Sequence, residues 1–235
     1  MKEKLLLNNY TEVLSVDITP KDFTHIIPQY ISPYLQPLDV SDNAVPVGIS
    51  ARHIHLSKEH LNQLFGHGYE LKKYKDLYQP GQFAAQETLT LVGPKGVIEE
   101  VRILAPTRPQ SQVEISRTDC YNLGINAPLR DSGDLTDTPG IVLVGPKGAV
   151  TLDKGVILAA AHIHMHTSEA RQYDLRDGDR VQVLVDTLRD ITFNNVLVRV
   201  SDEYRLEFHL DTDEANAAFL KNGDKVYVVA KRLLN

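Results

Sequence analysis

The segments Arg52-His53-Ile54-His55-Leu56-Ser57 and Ala161-His162-Ile163-His164-Met165-His166 both contain a His-Ile-His triplet. In a β-strand, residues i and i+2 project from the same face, so each triplet can direct two imidazoles to one side of a sheet. Neutral imidazole is a common ligand of zinc-like metals. We interpret the two triplets as a duplicated metal-binding element in a β-rich protein, which points to a two-metal site.

Three further residues could complete these sites, because each metal needs one or two ligands besides the two histidines. Glu114 lies in Ser111-Gln112-Val113-Glu114-Ile115-Ser116, where polar and apolar residues alternate as in a strand, and His209 lies in the strand-like run Leu206-Glu207-Phe208-His209-Leu210. His166 extends the second triplet. For any one of these residues the alternative is a hydrogen-bonded structural side chain, and the sequence leaves that alternative open.

The chain from Val45 onward has the composition of short strands separated by Gly, Pro and Asp-Gly turns. The predicted strands cover residues 89–92, 97–104, 141–144, 156–160, 181–185, 196–200 and 226–230. Two short helices are predicted, one from Ser57, a good N-cap, to about Phe65, and one opening at Thr167.

Repeated hexapeptides support a duplication. Residues 91–96 recur letter for letter at 143–148, and residues 178–183 resemble residues 223–228. We interpret them as marks of two related β units whose segments interleave. Closed or nearly closed barrels suit such units, because they remove the free edges of many short strands.

Residues 1–44 differ from the rest and predict an N-terminal extension, with residues 45–235 as the main body. Apolar residues with the i, i+3, i+4 spacing of an amphipathic helix occupy positions 23, 26, 27, 30, 31, 34 and 35. Pro28 and Pro33 fall inside this pattern, so we expect two short helices with a kink. These helices either pack on the body or form an arm that docks to a partner.

Composition excludes some functions. The net charge of −6 argues against general nucleic-acid binding. No apolar run approaches the roughly 20 residues of a membrane span. Cys120 is the single cysteine, so no intrachain disulfide can form, which agrees with a reducing compartment and predicts a cytoplasmic protein.

Arg108 is the strongest candidate for binding an anion. It lies in Pro106-Thr107-Arg108-Pro109, where two prolines stiffen the backbone around a guanidinium suited to bidentate phosphate recognition. Arg52, Lys95 and Arg102 add positive charge, with solvated turn or strand residues as the alternative for Lys95 and Arg102. Neither a Walker loop nor a Gly-x-Ser-x-Gly nucleophile motif is present. The residues alone therefore indicate a metalloenzyme acting on an anionic or phosphorylated substrate.

Residues 45–231 also resemble the phosphate propanoyltransferases of the propanediol-utilisation type. The motifs that carry the resemblance lie at residues 47–57, 79–82, 91–96, 112–119, 161–165 and 211–217. The resemblance implies a mainly β fold of two interleaved small β-barrels with short capping α-helices. It also implies acyl transfer between acyl-CoA plus phosphate and acyl phosphate plus CoA, with propanoyl-CoA or acetyl-CoA as substrate.

The resemblance further implies particular site residues and cofactors. His53, His55 and Glu114 would bind one divalent metal, usually zinc, and His162, His164 and His209 would bind a second. Arg108 would hold phosphate and act with the two metals in catalysis. The implied CoA-binding residues are Ile49, Ser50, Ala51, Lys95, Arg102 and Asn216. The family usually has serine at the position of His166.

The sequence leaves two alternatives for the protein's assembly and two rival functions. Residues 1–44 are longer than, and unlike, the short amphipathic helix that targets microcompartment members, so a shell or core partner inside a bacterial microcompartment is one option and a homo-oligomer another. The enzyme rival is a metal-dependent acyl-CoA hydrolase, in which water replaces phosphate. The non-enzyme rival is a zinc-stabilised structural or shell-docking module.

Overall fold

The computed structural model describes residues 35–37 and 44–232 of the chain. The strands are β1 Leu35–Pro37, β2 Ala44–Ser50, β3 His53–His55, β4 Lys73–Asp76, β5 Phe83–Val92, β6 Val97–Ala105, β7 Gln112–Glu114, β8 Leu129–Arg130, β9 Ile141–Gly145, β10 Gly148–Leu152, β11 Val156–Ala159, β12 His162–Met165, β13 Arg180–Val185, β14 Ile191–Val200, β15 Glu207–Asp211 and β16 Lys225–Arg232. The helices are α1 Lys58–Phe65, α2 Arg117–Leu123, α3 Thr167–Gln172 and α4 Thr212–Ala218.

Six strands form a closed barrel in the order β16-β13-β14-β12-β15-β2, and β2 pairs back with β16. Strand β1 pairs with residues 230–232 of β16, beyond the part that pairs with β2. Val181, Val183 and Val185 alternate with half-exposed neighbours along β13, the pattern of a strand with one face on a core. The interior of this barrel is accordingly filled mainly by aliphatic side chains, together with the fully buried Phe208.

The other nine strands form an open half-barrel in the order β10-β9-β5-β6-β3-β7-β11-β8, with β4 on β5. Strand β2 precedes these strands in the chain and β12 to β16 follow them, so the half-barrel is inserted within the sequence of the closed barrel. The prediction of a mainly β fold with two interleaved barrels and short capping helices is confirmed, with one barrel closed and the other open.

Each His-Ile-His triplet is a short central strand anchored by its isoleucine. Ile54 and Ile163 have no exposed surface and pack in the cores of the half-barrel and the closed barrel, respectively. Burying such a side chain contributes about 1.5–3 kcal/mol to folding. Because neighbouring side chains on a strand face opposite ways, this burial turns both histidines of each triplet away from the core.

The four helices of the described residues begin beside the predicted metal ligands. Their N-cap residues are Ser57, Ser116, His166 and Asp211, each two residues after a predicted ligand. Helices α1 and α3 were predicted and are confirmed. Helices α2 and α4 were not predicted, although Asp119 and Glu214 lie at the third helical position, where they complete capping boxes.

One interpretation of the chain's organisation is wrong, and so is the end of the predicted amphipathic helix at Leu35. The repeats at 91–96 and 143–148 do not mark the two barrels, because both lie in the half-barrel, where Leu91 of β5 pairs directly with Leu143 of β9. The repeats at 178–183 and 223–228 likewise lead into β13 and β16 of the closed barrel. Leu35, at the end of the predicted amphipathic helix, lies in strand β1. The rest of that helical pattern lies outside the described residues. The division at residue 44 stays a prediction.

Among residues 35–37 and 44–232, no helix combines the length and the apolar composition that crossing a membrane requires.

Asp119 should be important for stability, because it holds the start of α2 to the strand β3 region. Its buried carboxylate accepts a hydrogen bond from the Ser116 backbone N–H (3.2 Å) and forms an ion pair with Arg52 at 2.7 Å. Losing this half of the capping box and leaving the buried Ser116 N–H unpaired should lower the free energy of unfolding by about 2 kcal/mol in Asp119→Ala. The matched control is Asp76→Ala, which removes an exposed ion pair with Lys73 and should cost about 0–1 kcal/mol. Equal urea midpoints for the two variants would contradict this role.

Candidate metal centre

Strand register brings the predicted metal ligands together in two equivalent groups. Each triplet strand has a parallel neighbour on one side (β6 for β3, β14 for β12) and an antiparallel neighbour on the other. His53 of β3 lies directly opposite Glu114 of β7, and His162 of β12 lies directly opposite His209 of β15. In each group of three, the candidate ligand atoms lie within 4.8 Å of one another. We call His53, His55 and Glu114 the first group and His162, His164 and His209 the second.

Backbone carbonyls fix the tautomer of the first histidine in each triplet. His53 Nδ1 lies 2.9 Å from the Ala51 carbonyl oxygen, and His162 Nδ1 lies 2.8 Å from the Ala160 carbonyl oxygen. Since a carbonyl oxygen can only accept, Nδ1 carries the proton in both rings. The Nε2 lone pairs of both histidines are therefore available to a metal.

These lone pairs face other acceptors, which is the arrangement expected of a cation site. His53 Nε2 lies 3.5 Å from Glu114 Oε2, and His162 Nε2 lies 3.1 Å from His164 Nε2. In addition, the buried His164 Nδ1 has no hydrogen-bond partner within the described part of the chain. Two buried acceptors at such distances need a proton or a cation between them. The residues present therefore fit a divalent metal in each group.

Electrostatics favour the metal-binding form of most of these groups at neutral pH. Burial and the neighbouring His209 lower the pKa of His162 to about 4, and burial and His162 lower the pKa of His164 to about 2. Burial, His53 and Arg108 together hold the pKa of His55 well below its usual range. These three imidazoles are thus neutral near pH 7, and a neutral imidazole has the lone pair that a metal needs.

The first group differs because it contains a carboxylate. Burial alone would raise the pKa of Glu114, but His53, His55 and the Ser132 hydroxyl outweigh it and keep that pKa well below its usual range. Burial opposes protonation of His53, yet Glu114 outweighs burial and raises the His53 pKa. Glu114 is therefore ionised at neutral pH and offers a metal a negatively charged ligand.

A single cleft of about 580 Å³ lies between the two barrels, and both groups open into it. Arg108 lines the same cleft. Its backbone N–H donates to the Leu56 carbonyl (2.9 Å) and its guanidinium donates to Ser132 Oγ (3.2 Å). Burial lowers the Arg108 pKa, although an arginine stays charged at neutral pH. The cleft thus holds two metal-ligand groups and a fixed cation.

The other predicted residues divide into two sets. Four predicted CoA-binding residues line the cleft, namely Ile49, Ser50, Ala51 and Arg102. Lys95 and Asn216 are not among the residues that line it. Lys95 packs against Gly124 through its side-chain stem, and Asn216 is exposed on α4. Their assignment to CoA stays a prediction.

Two further candidates have structural roles. His166 lies outside the second group, and its Nδ1 accepts a hydrogen bond from the Ser168 backbone N–H (3.1 Å) as the N-cap of α3. It occupies the position that Ser57 has after the first triplet. Arg52 lines the cleft, but its charge is already paired with Asp119.

Several residues of the cleft were missed by sequence reasoning. They are Gln79, Ser132, Arg199, Tyr204 and Glu207, together with Gln112, which donates a hydrogen bond to Glu114 but does not line the cleft itself. For Gln112 and Glu207 the signal was present, because each precedes a predicted ligand by two residues and so shares its face of the strand. Arg199 lies directly opposite His164 on the parallel neighbour β14. Gln79, Ser132 and Tyr204 lie on connections far from the triplets in sequence, and no local pattern indicates them.

The chain is similar to proteins of one known family. A sequence model of the phosphate propanoyltransferase family matches residues 46–221. Similar relatives called phosphate propanoyltransferase include one from Thermotoga maritima, 58% identical over 184 residues, which are 78% of this chain and 88% of the relative. One from Lachnoclostridium phytofermentans is 53% identical over 72% of this chain and 79% of the relative, and one from Citrobacter rodentium is 50% identical over 80% and 88%. The chain therefore belongs to the phosphate propanoyltransferase family.

Proposed function

We propose that this acyltransferase interconverts propanoyl-CoA plus phosphate and propanoyl phosphate plus CoA, and that acetyl-CoA is an alternative substrate. The observation that carries the proposal is the convergence of two metal-ligand groups and Arg108 on one cleft between the barrels. A binding module has no need of two such groups facing one another across a cleft with a fixed cation. The names of the relatives agree with transfer to phosphate.

The two groups would hold one divalent metal each, with zinc as the best match to three ligands per site drawn from histidine and glutamate. When bound, such metals supply Lewis-acid charge at the thioester end and at the phosphate end of the reacting pair. The protein's part is to keep the ligands deprotonated and oriented. The Ala51 and Ala160 carbonyls orient the first histidine of each triplet by accepting a hydrogen bond from its Nδ1–H, which leaves Nε2 for the metal.

Arg108 would bind phosphate and orient it toward the acyl carbon. Its guanidinium is held by Ser132, and Arg199 adds a second positive charge on the cleft wall. Phosphate near pH 7 is already a nucleophile, so positioning and charge neutralisation would supply most of the acceleration. One phosphate oxygen forms the bond to the acyl carbon, the carbon–sulfur bond breaks, and CoA leaves as the thiolate.

Trapping the product tests this function. Metal-loaded protein incubated with propanoyl-CoA, phosphate and hydroxylamine should produce propanoyl hydroxamate, because hydroxylamine captures acyl phosphates. Reactions without protein or without phosphate are the controls for direct attack of hydroxylamine on the thioester. CoA release without any phosphate-dependent hydroxamate would favour the hydrolase. Absence of turnover, together with unfolding on metal removal, would favour the structural module.

A homo-oligomer, a cytoplasmic location within a bacterial microcompartment and a shell or core partner for residues 1–44 remain predictions. Size-exclusion chromatography of the full chain and of a chain beginning at residue 35 would test whether the N-terminal segment affects assembly.

A further inference from the structure

We infer that Glu207, held in place by Gln79 from the other barrel, positions His209 and sets the metal affinity of the second group. The inference rests on the proposed metal sites. It concerns two residues that are not themselves members of either group of candidate ligands. Both line the cleft between the barrels.

Glu207 is the direct partner of His209. The two residues are separated by one position on β15, so their side chains share a face, and Glu207 Oε2 lies 2.6 Å from His209 Nε2. A carboxylate can only accept here, so Nε2 of His209 carries the proton and Nδ1 has the lone pair for a metal. A carboxylate that accepts from the second nitrogen of a metal-binding histidine fixes the ring and increases its basicity.

Gln79 fixes the carboxylate of Glu207 in turn. Its side-chain amide donates to Glu207 Oε2 (2.9 Å) and to the Arg205 carbonyl (3.0 Å), while its amide oxygen accepts from the Arg205 backbone N–H (3.2 Å). Gln79 is only 3% exposed. It lies between β4 and β5 of the half-barrel, whereas Arg205 and Glu207 belong to the closed-barrel part of the chain. The hydrogen-bond chain Gln79–Glu207–His209 therefore connects one barrel to a candidate metal ligand of the other.

Gly48 leaves room for this arrangement. It lies opposite His209 on the neighbouring strand β2, and a Cβ at residue 48 would come within 2.4 Å of Glu207 Oε1. Real Cβ atoms do not approach so closely, so any larger residue at this position would displace the Glu207 side chain. Gly48→Ala is thus a way to move Glu207 without changing its chemistry.

The first group has a related arrangement with different residues. Gln112 lies two residues before Glu114, and its side-chain amide donates to the Glu114 carboxylate. Glu207 likewise lies two residues before His209, but its carboxylate accepts from the His209 imidazole. Gln112 lies opposite His55, and Glu207 lies opposite His164. In the first group the carboxylate of Glu114 is a candidate ligand, and Gln112 supports it. In the second group the imidazole of His209 is a candidate ligand, and the carboxylate of Glu207 supports it.

The test is metal affinity measured by competition with a chromophoric chelator, on the full chain loaded with zinc. Glu207→Gln, Gln79→Ala and Gly48→Ala should each weaken one of the two bound zinc ions by about 10- to 100-fold and leave the other unchanged. Glu203→Gln is the matched control, because it removes one negative charge from an exposed residue on the connection between β14 and β15, just before Glu207. It should bind both ions as the parent protein does. Circular dichroism of each variant checks that it is folded.

The outcomes separate the inference from the proposed function. Parent protein that binds fewer than two zinc ions would contradict the proposed metal sites. Parent protein with two ions, and Glu207→Gln with unchanged affinities, would overturn only the positioning role. Complete loss of one ion in Glu207→Gln would also overturn it, because Glu207 would then be a ligand itself.

Discussion

Arg108→Ala should lower kcat/KM for phosphate by about 10²- to 10³-fold, the cost of removing a fixed donor that binds developing or transferred charge. Arg108 is held at its backbone by Leu56 and at its guanidinium by Ser132, so its cation stays in one place within the cleft. The effect should be specific to phosphate, so KM for propanoyl-CoA should change little. Steady-state kinetics with phosphate as the varied substrate measures this effect.

Two controls define the role of Arg108. Arg108→Lys keeps the charge but loses the planar fork, so it should recover only part of the loss. Arg189→Ala removes an exposed arginine in the turn between β13 and β14 and should behave as the parent protein. All three variants should retain the metal content of the parent. Phosphate kinetics unchanged in Arg108→Ala would contradict its assignment to phosphate.

His209→Ala should reduce the metal content from two ions per chain to about one and lower kcat by about 10³-fold or more. The second group would retain only His162 and His164, and two imidazoles are too few for tight zinc binding. Loss of a metal that stabilises charge costs several kcal/mol of transition-state stabilisation, and each 1.36 kcal/mol is a factor of ten in rate. Elemental analysis after dialysis, paired with CoA-release assays, measures both quantities.

His67→Ala is the matched control for this variant. His67 is an exposed histidine beyond α1 and does not line the cleft. Its removal should leave two ions per chain and the parent rate. A full metal complement in His209→Ala would contradict its assignment as a ligand.

The candidate ligands were predictable because their signal is local. His53 and His55, like His162 and His164, are two positions apart, and a strand turns such residues to one side whatever the rest of the fold. The third ligand of each group needed more than this rule. Glu114 and His209 were found as candidates by alternation, but the register that places them opposite His53 and His162 joins strands far apart in sequence.

The features that could not be predicted from the sequence depend on pairings between segments far apart in the chain. Gln79 and Glu207 are hydrogen-bonded although they are 128 residues apart in sequence, and no periodicity in either segment predicts this contact. The identical hexapeptides at 91–96 and 143–148 were misinterpreted for a related reason. Similar turns recur wherever two strands meet, so a repeated turn sequence does not show which barrel its strands belong to. Helices α2 and α4 are only seven residues long, too short for a periodic pattern, although their capping boxes could have been recognised.

We propose that phosphate, rather than water, accepts the acyl group. Measuring CoA release from propanoyl-CoA by metal-loaded protein tests this proposal most directly. A thiol reagent follows release with and without phosphate, and acetyl-CoA in a parallel assay reports the acyl-chain preference. Release that depends strictly on phosphate is the expected result. Release at the same rate without phosphate would contradict acyl transfer and identify a hydrolase.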